Sequence, residues 1–478
     1  MNTSDTELVL RDLRKQLPRL KGRITAADAS AATGHSYDAV RDALDELMNI
    51  FVCRLQVTES GEILYDFGGS LRRRGSKTLR ERLGDAGRFL WKAFTIGFKL
   101  WITVMLVVYF TAFVVILIAM LLGGKDTKRG IKLGWIADLF ADMFRIRGAR
   151  MAVGYAVDSD GLRHRELRQI RRRQPDVTEE NKRLVQSVYD FVFGPPRPDF
   201  DPFANEKEVA AWLRREKGIL TMTELVALAG WTYDEASERM AEYLTRFKGD
   251  ADITEDGVLI GRFDRLLLSG DRAAGGGKVE LFWDEYEAPY VMTGNSTGRN
   301  AFIAFMNGFN LLFSLAMFSS PGGMAIVMEN AGIPLAPDFI HVVFGIVPLL
   351  FSVIFFAVPL LRFPSVWRAE RRRHLRNLRR RILRIVFEEQ GRPFTAAQLH
   401  ARIAAAGGKV PNLKELEAAL AALLPYFDGR TTLEDDGTVL YVFDRVGHEV
   451  QVARRERTVR QTPGLGKVLF DTGESTTL

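Results

Sequence analysis

The chain has 478 residues, with 66 Lys and Arg against 59 Asp and Glu, and a formal net charge of +7. Its single cysteine, Cys53, excludes an internal disulfide framework and any multi-cysteine metal or iron–sulfur centre built by this chain alone. The basic balance leaves anionic lipid and nucleic acid open as partners, while the apolar residues gather in a few runs long enough to cross a bilayer.

No apolar leader run opens the chain, so no signal peptide is expected. Leu8, Leu10, Leu13 and Leu17 recur at helical spacing and predict a first helix over 6–17. Thr25, with Asp28 three residues on, starts a second helix that Gly34 ends. Ser36 caps a third over 37–48, with Val40, Leu44, Leu47 and Met48 as its apolar stripe. Two β runs, 51–57 and 62–67, are joined by Glu59-Ser60-Gly61, a hairpin signal.

This stretch returns. At one fixed offset of 196 positions, Thr25, Gly34, Tyr37, Asp38, Phe51, Glu59, Gly61 and Phe67 meet Thr221, Gly230, Tyr233, Asp234, Phe247, Glu255, Gly257 and Phe263. A third copy runs over 394–443 with six extra residues near 407–411. Three helices and a two-stranded hairpin, three times over, resemble the winged-helix pattern. The expected fold is therefore an α+β membrane protein with winged-helix-like repeats over 1–70, 178–295 and 385–450. Transmembrane segments are expected over 100–122, 301–318 and 339–361.

The intervening stretches have their own characters. Residues 71–99 and 362–384 are basic and abut apolar runs, and 130–150 reads as an amphipathic helix for the membrane interface or for a protein core. A basic linker follows over 163–173, then a helix over 181–193 and a Pro-rich joint over 194–202. The glycines of 273–278 lack P-loop spacing, 279–283 reads as an extra strand of the second repeat, and 451–478 reads as a disordered tail. Residues 319–338 hold no Lys or Arg, whereas 362–384 are rich in Arg, which predicts a multi-pass bacterial inner-membrane protein with repeats two and three cytoplasmic. The run 94–122 reads as one long tilted span rather than a tight hairpin, and leaves the side of repeat one open.

A winged helix invites a DNA reading, but the third helices and hairpin tips are acidic, and acids repel a polyanion. These acids instead suit protein contact: Asp38, Asp42, Glu46, Asp234, Glu235, Glu238, Glu242 and Glu415. Candidate anionic-lipid contacts are Arg72, Arg73, Arg74, Arg371, Arg372, Arg373, Arg379, Arg380 and Arg381, although setting topology would by itself account for that charge. None of the six histidines pairs with a ligand-type residue at a metal-binding spacing, and no catalytic motif occurs, so no catalytic, cofactor or metal residue is assigned. Asn307, Asn310 and Ser314 offer polar groups within an apolar run.

In order, Phe191-Val192-Phe193-Gly194, the stretch 252–263, a two-span hairpin and Val358-Pro359-Leu360-Leu361-Arg362-Phe363 resemble an uncharacterised family of membrane proteins from cyanobacteria and the plastid envelope. The resemblance covers 178–384 and implies a membrane location without an activity to carry over; an iron–sulfur role fits poorly with a lone Cys53. The expectation is a non-enzymatic inner-membrane scaffold or adaptor whose partners are lipid, other proteins or a second copy of the chain. A membrane-tethered DNA-binding regulator and a transporter component are the alternatives.

Overall fold

The leucine stripe at the N-terminus folds as helix α1 (Thr3–Gln16), which buries Val9, Leu10 and Leu13 against the next two helices. Helix α2 (Ala26–Thr33) opens on a reciprocal cap: Thr25 Oγ1 accepts from Asp28 N at 3.1 Å and the Asp28 carboxylate accepts from Thr25 N at 2.9 Å. It ends at Gly34, whose φ of +77° is open to glycine at little cost. Helix α3 (Tyr37–Ile50) is capped by Ser36 and buries Val40, Ala43, Leu44 and Leu47. Strands β1 (Arg54–Thr58) and β2 (Ile63–Asp66) form an antiparallel hairpin, and Ile24 bridges Tyr65 beside it.

We obtained this architecture as a computed structural model, which describes residues 3–20, 22–68, 71–72, 79–122, 150–157, 163–170, 184–197, 201–270, 278–330, 332–407 and 409–472. After unit one, α4 (Leu79–Leu122) is one unbroken helix of 44 residues, with no hairpin inside it. Next come the antiparallel strands β3 (Arg150–Val157) and β4 (Arg163–Ile170) and helix α5 (Leu184–Phe193). Unit two follows as α6 (Ala204–Arg215), β5 (Ile219–Thr221), α7 (Met222–Ala229), α8 (Tyr233–Arg246), β6 (Asp250–Ile253), β7 (Leu259–Arg262) and the single turn α9 (Asp264–Leu267).

Helices α10 (Thr297–Ser319) and α11 (Pro321–Asn330) lead through a π-helical stretch, Ile340–Ile346, into α12 (Val347–Glu389). Unit three takes the C-terminal end of α12 as its first helix. It adds β8 (Phe394–Thr395), α13 (Ala396–Ala405), α14 (Leu413–Leu423), β9 (Arg430–Leu433) and β10 (Val439–Val442). The chain closes with α15 (Asp444–Val459) and β11 (Val468–Asp471).

The repeat is visible in strand order. Sheets β5-β7-β6 and β8-β10-β9 match, and in unit one the Ile24 bridge stands where β5 and β8 stand. One apolar core runs through all three units, from Leu13 and Leu44 through Leu225 and Met240 to Leu399 and Leu420. A second cluster joins α4, α5, α10 and α12 through Ile102, Leu106, Val188, Ile303 and Phe355. Among the described residues three stretches are long and apolar enough to cross a membrane: Ala93–Ala119, Thr297–Ser319 and Pro337–Glu389, with mean hydropathies of 2.8, 1.7 and 2.6.

Several expectations are corrected. The strand expected over 279–283 is an irregular turn: Phe282 N donates to Ala227 O, and the Phe282 ring packs where a side chain on Gly230 would stand. Residues 451–472 are no loose tail, because α15 continues to Val459 and β11 pairs with β1. The basic linker over 163–173 forms β4 as far as Ile170. Helix α6 is an addition to the expected elements: it stands in unit two where α1 stands in unit one and buries Val209, Ala210 and Leu213 in the shared core, whereas the helix expected ahead of the Pro-rich joint, α5, packs into the apolar bundle. The interfacial helix expected over 130–150 falls outside the described residues except Arg150, which begins β3.

Candidate functional site

The units meet through their capping boxes. Asp28 is 1% exposed, and its carboxylate takes three hydrogen-bond donors and one ion-pair partner besides closing the cap at the Thr25 hydroxyl. They are Thr25 N at 2.9 Å, Ser269 Oγ at 2.7 Å, Gly270 N at 2.9 Å and the Arg214 guanidinium at 2.8 Å. The last three belong to unit two: Arg214 to α6, the other two to the segment after its hairpin. Gly270 must be glycine, since a Cβ there would lie 2.1 Å from Arg23 O.

The next seam repeats the plan. Thr221 and Glu224 form the box that opens α7, and Arg457 of α15 donates to Glu224 Oε1 at 2.5 Å and to Ile219 O at 3.0 Å. Glu449 of α15 accepts from Thr223 N at 2.8 Å. Thus the segment after each hairpin seats on the capping box of the unit before it. The 196-position offset that aligns Thr25 with Thr221 also aligns Asp28 with Glu224, a signal present in the sequence.

Helix α12 ties the apolar bundle to these units. Arg373 is 1% exposed and donates to both Glu370 oxygens and to Glu287 O; Arg376 forks the Glu287 carboxylate at 2.9 and 2.5 Å. Burial pulls Glu287 upward, but the Arg376 hydrogen bonds and charge win and hold it below the usual carboxylate range. Arg379 donates to Gly230 O at 2.5 Å, Arg380 to Phe282 O at 3.0 Å and to Glu285 at 3.0 Å. Arg381 donates to Ile403 O, Gly407 O and Lys409 O.

These contacts correct the lipid assignment. Arg373, Arg380 and Arg381 are buried and saturated by the protein, and Arg379 is half-buried, so none is presented to headgroups. Arg371 and Arg372 are exposed, and Arg72 is exposed beside unit one. Arg73 and Arg74 lie outside the described residues. Read along the sequence, the run is one charged surface, which hides the buried set within it. Arg373, Asn377, Arg380 and Arg381 share one helical face, and Glu285 and Glu287 supply the complementary acids.

The acids proposed for protein contact divide in the same way. Asp38 pairs with Lys248 at 2.5 Å, Glu242 with Arg239 and Arg246 at 2.5 and 2.6 Å, and Glu235 and Glu415 close the caps of α8 and α14. Asp42, Glu46, Asp234 and Glu238 remain exposed on α3 and α8.

Between units one and two lies a cleft of about 650 Å³, lined in part by Val9, His35, Asp38, Phe203, Glu242 and Arg246. Arg246 donates from here to Gly34 O at 2.8 Å. Burial holds the His35 imidazole below its ordinary value, against the raising effect of Asp12 at 3.2 Å. Within the bundle, Asn307 Nδ2 donates to Ser352 O and Asn310 Nδ2 to Leu106 O, both at 3.1 Å and both on neighbouring helices, while Ser314 Oγ donates to Leu311 O of its own helix. Among the described residues no cluster of His, Cys, Asp and Glu is arranged to hold a metal ion. Comparison with protein-family models, with curated proteins and with solved structures gives no match.

Proposed function

We propose that this chain is a non-enzymatic scaffold of a bacterial inner membrane, multi-pass, whose winged-helix-like units form one docking platform on the cytoplasmic face. The observation that carries this reading is the division of the acids. Seams, caps and ion pairs engage Asp28, Glu224, Asp38, Glu235, Glu242 and Glu415, of which only Asp28 and Glu224 are buried, whereas the exposed Asp42, Glu46, Asp234 and Glu238 of the third helices take part in no seam or cap. Acids in that position oppose a DNA phosphate backbone and favour a basic protein surface. The buried Asp28–Arg214 seam supports placing unit one beside unit two, and the arginine-rich stretch of α12 supports the cytoplasmic side for both; the chain then makes no net crossing between them, so in this reading α4 is not the complete single span that its length and hydropathy alone allow.

The test places a photo-crosslinking residue at Glu46 and at Glu238 in native membranes. Discrete protein adducts that weaken at high salt are expected, because rim charges steer association and are screened. Adducts to DNA, or to lipid alone, would reject the scaffold reading.

A further inference from the structure

The last strand among the described residues, β11, rests on the first unit without a core of its own. β11 runs antiparallel to β1, with Gln56 opposite Asp471 and Val57 opposite Phe470; the register then slips so that Thr58 meets Val468 and Leu469 has no partner. Its apolar side chains stay in water, Val468, Leu469 and Phe470 being 41%, 68% and 56% exposed. Apolar burial, the usual reason for a strand to stay in a sheet, is therefore nearly absent.

What holds β11 is polar and local. Arg54 forks the Asp471 carboxylate at 2.7 and 2.6 Å, and Gln56 Nε2 donates to it at 2.6 Å. Arg23 donates to Gln56 Oε1 at 3.3 Å and so fixes the direction of that amide. The Asp471 side chain is 8% exposed within this socket. Backbone bonds add to it, Glu59 N to Lys467 O at 2.9 Å and Thr472 N to Leu55 O at 3.0 Å. The strand arrives through Thr462-Pro463-Gly464-Leu465-Gly466, which forms neither helix nor strand. Among the described residues, no strand covers the equivalent outer edges of β6 and β9, so occupation of this edge is particular to unit one.

We propose that the outer edge of β1, with the socket of Arg54, Gln56 and Arg23, is a docking site for an extended peptide of a partner protein that carries a carboxylate where Asp471 lies. Residues 468–472 occupy it in cis as a displaceable stand-in. Strand addition supplies backbone hydrogen bonds to any extended peptide, and the carboxylate socket supplies selectivity. The cis segment is tethered, so its effective concentration is high and a free peptide competes poorly until the tether strand is released. This site is separate from the acidic faces of α3 and α8 and does not depend on their role.

The test uses the full-length chain in lipid nanodiscs and a fluorescent peptide with the sequence of residues 466–473. Asp471→Arg breaks the cis ion pair and is expected to bind the peptide at least about tenfold more tightly than the wild type, since a charge-assisted pair of this kind is worth about a factor of ten. Adding Arg54→Glu is expected to abolish the gain, and a peptide with lysine in place of its aspartate is expected not to bind. A chain ending at residue 462 tests the same edge without any substitution in it and is expected to behave as Asp471→Arg does. No gain in either variant, or a gain that survives Arg54→Glu, overturns the proposal. Dimerisation that excludes the peptide would assign the edge to a second copy and overturn it equally.

Discussion

Units two and three begin their second helices in the same way, with a threonine cap, and then diverge. In unit two the third residue of the cap is Glu224, buried and bonded to Arg457; in unit three it is Gln398, exposed, closing its cap and nothing more. Unit one sides with unit two through Asp28 and Arg214. An acid at this position receives the next segment, as Asp28 and Glu224 do, whereas the neutral Gln398 closes its own cap and receives none.

The largest loss is expected from Asp28→Ala. It leaves the buried Arg214, Ser269 and Gly270 without their acceptor, and a cost of about 3–5 kcal/mol is expected in denaturant unfolding followed by tryptophan fluorescence. A cost no greater than that of Gln398→Ala would show that the acid does not hold the seam. Glu224→Ala is expected to cost about 3 kcal/mol and to expose 444–472 to limited proteolysis, because Arg457 loses its buried acid beneath α15 and keeps only Ile219 O and Glu216. Restoring the balance with Glu224→Gln and Arg457→Met together recovers most of the loss if the penalty comes from the stranded charge.

A smaller effect separates the seams from burial at large. Burial pushes the Glu208 carboxyl of α6 up to about 7 from an unperturbed 4.5. A carboxyl raised in this way penalises the fold progressively as pH climbs from 4.5 to about 7, and the penalty is complete above that. Glu208→Gln is therefore expected to raise stability by about 1 kcal/mol at pH 8, after allowance for solvent screening, and to change nothing at pH 4. An equal gain at both pH values would reject the titration. The smallest effect sharpens the comparison: Gln398→Ala is expected to cost at most about 1 kcal/mol by thermal unfolding, the worth of one side of a surface cap.

The local grammar of the fold is legible in the sequence. Thr25 with Asp28, Gly34 and Ser36 mark their helix ends because capping is settled within four residues. The long-range partners are not legible. Nothing near Arg457 announces that it reaches Glu224, 233 positions earlier in the chain, and a strand such as β11, with its apolar side chains in water, has no inward and outward alternation to read. The arginines of α12 read as a surface because charge runs usually are one, whereas a helix that joins a bundle to a body presents one face of that run to protein. Of the acids of α3 and α8, Glu235 and Glu242 are engaged within their own helix, as cap and as i,i+3 and i,i+4 partner, and that spacing is readable; the pairing of Asp38 with Lys248 comes from another unit and is not.

Helix α12 spans 43 residues, so it forms a shaft of about 65 Å. Its two internal prolines, Pro359 and Pro364, each remove a backbone hydrogen bond where the apolar half passes into the arginine half. Bending concentrates at that joint. In a thinner or thicker bilayer the apolar half can change its tilt to match, while the arginine half keeps its grip on Glu287, Gly230 and Gly407. A joint of this kind separates the tilt of the apolar half from the seating of the three units.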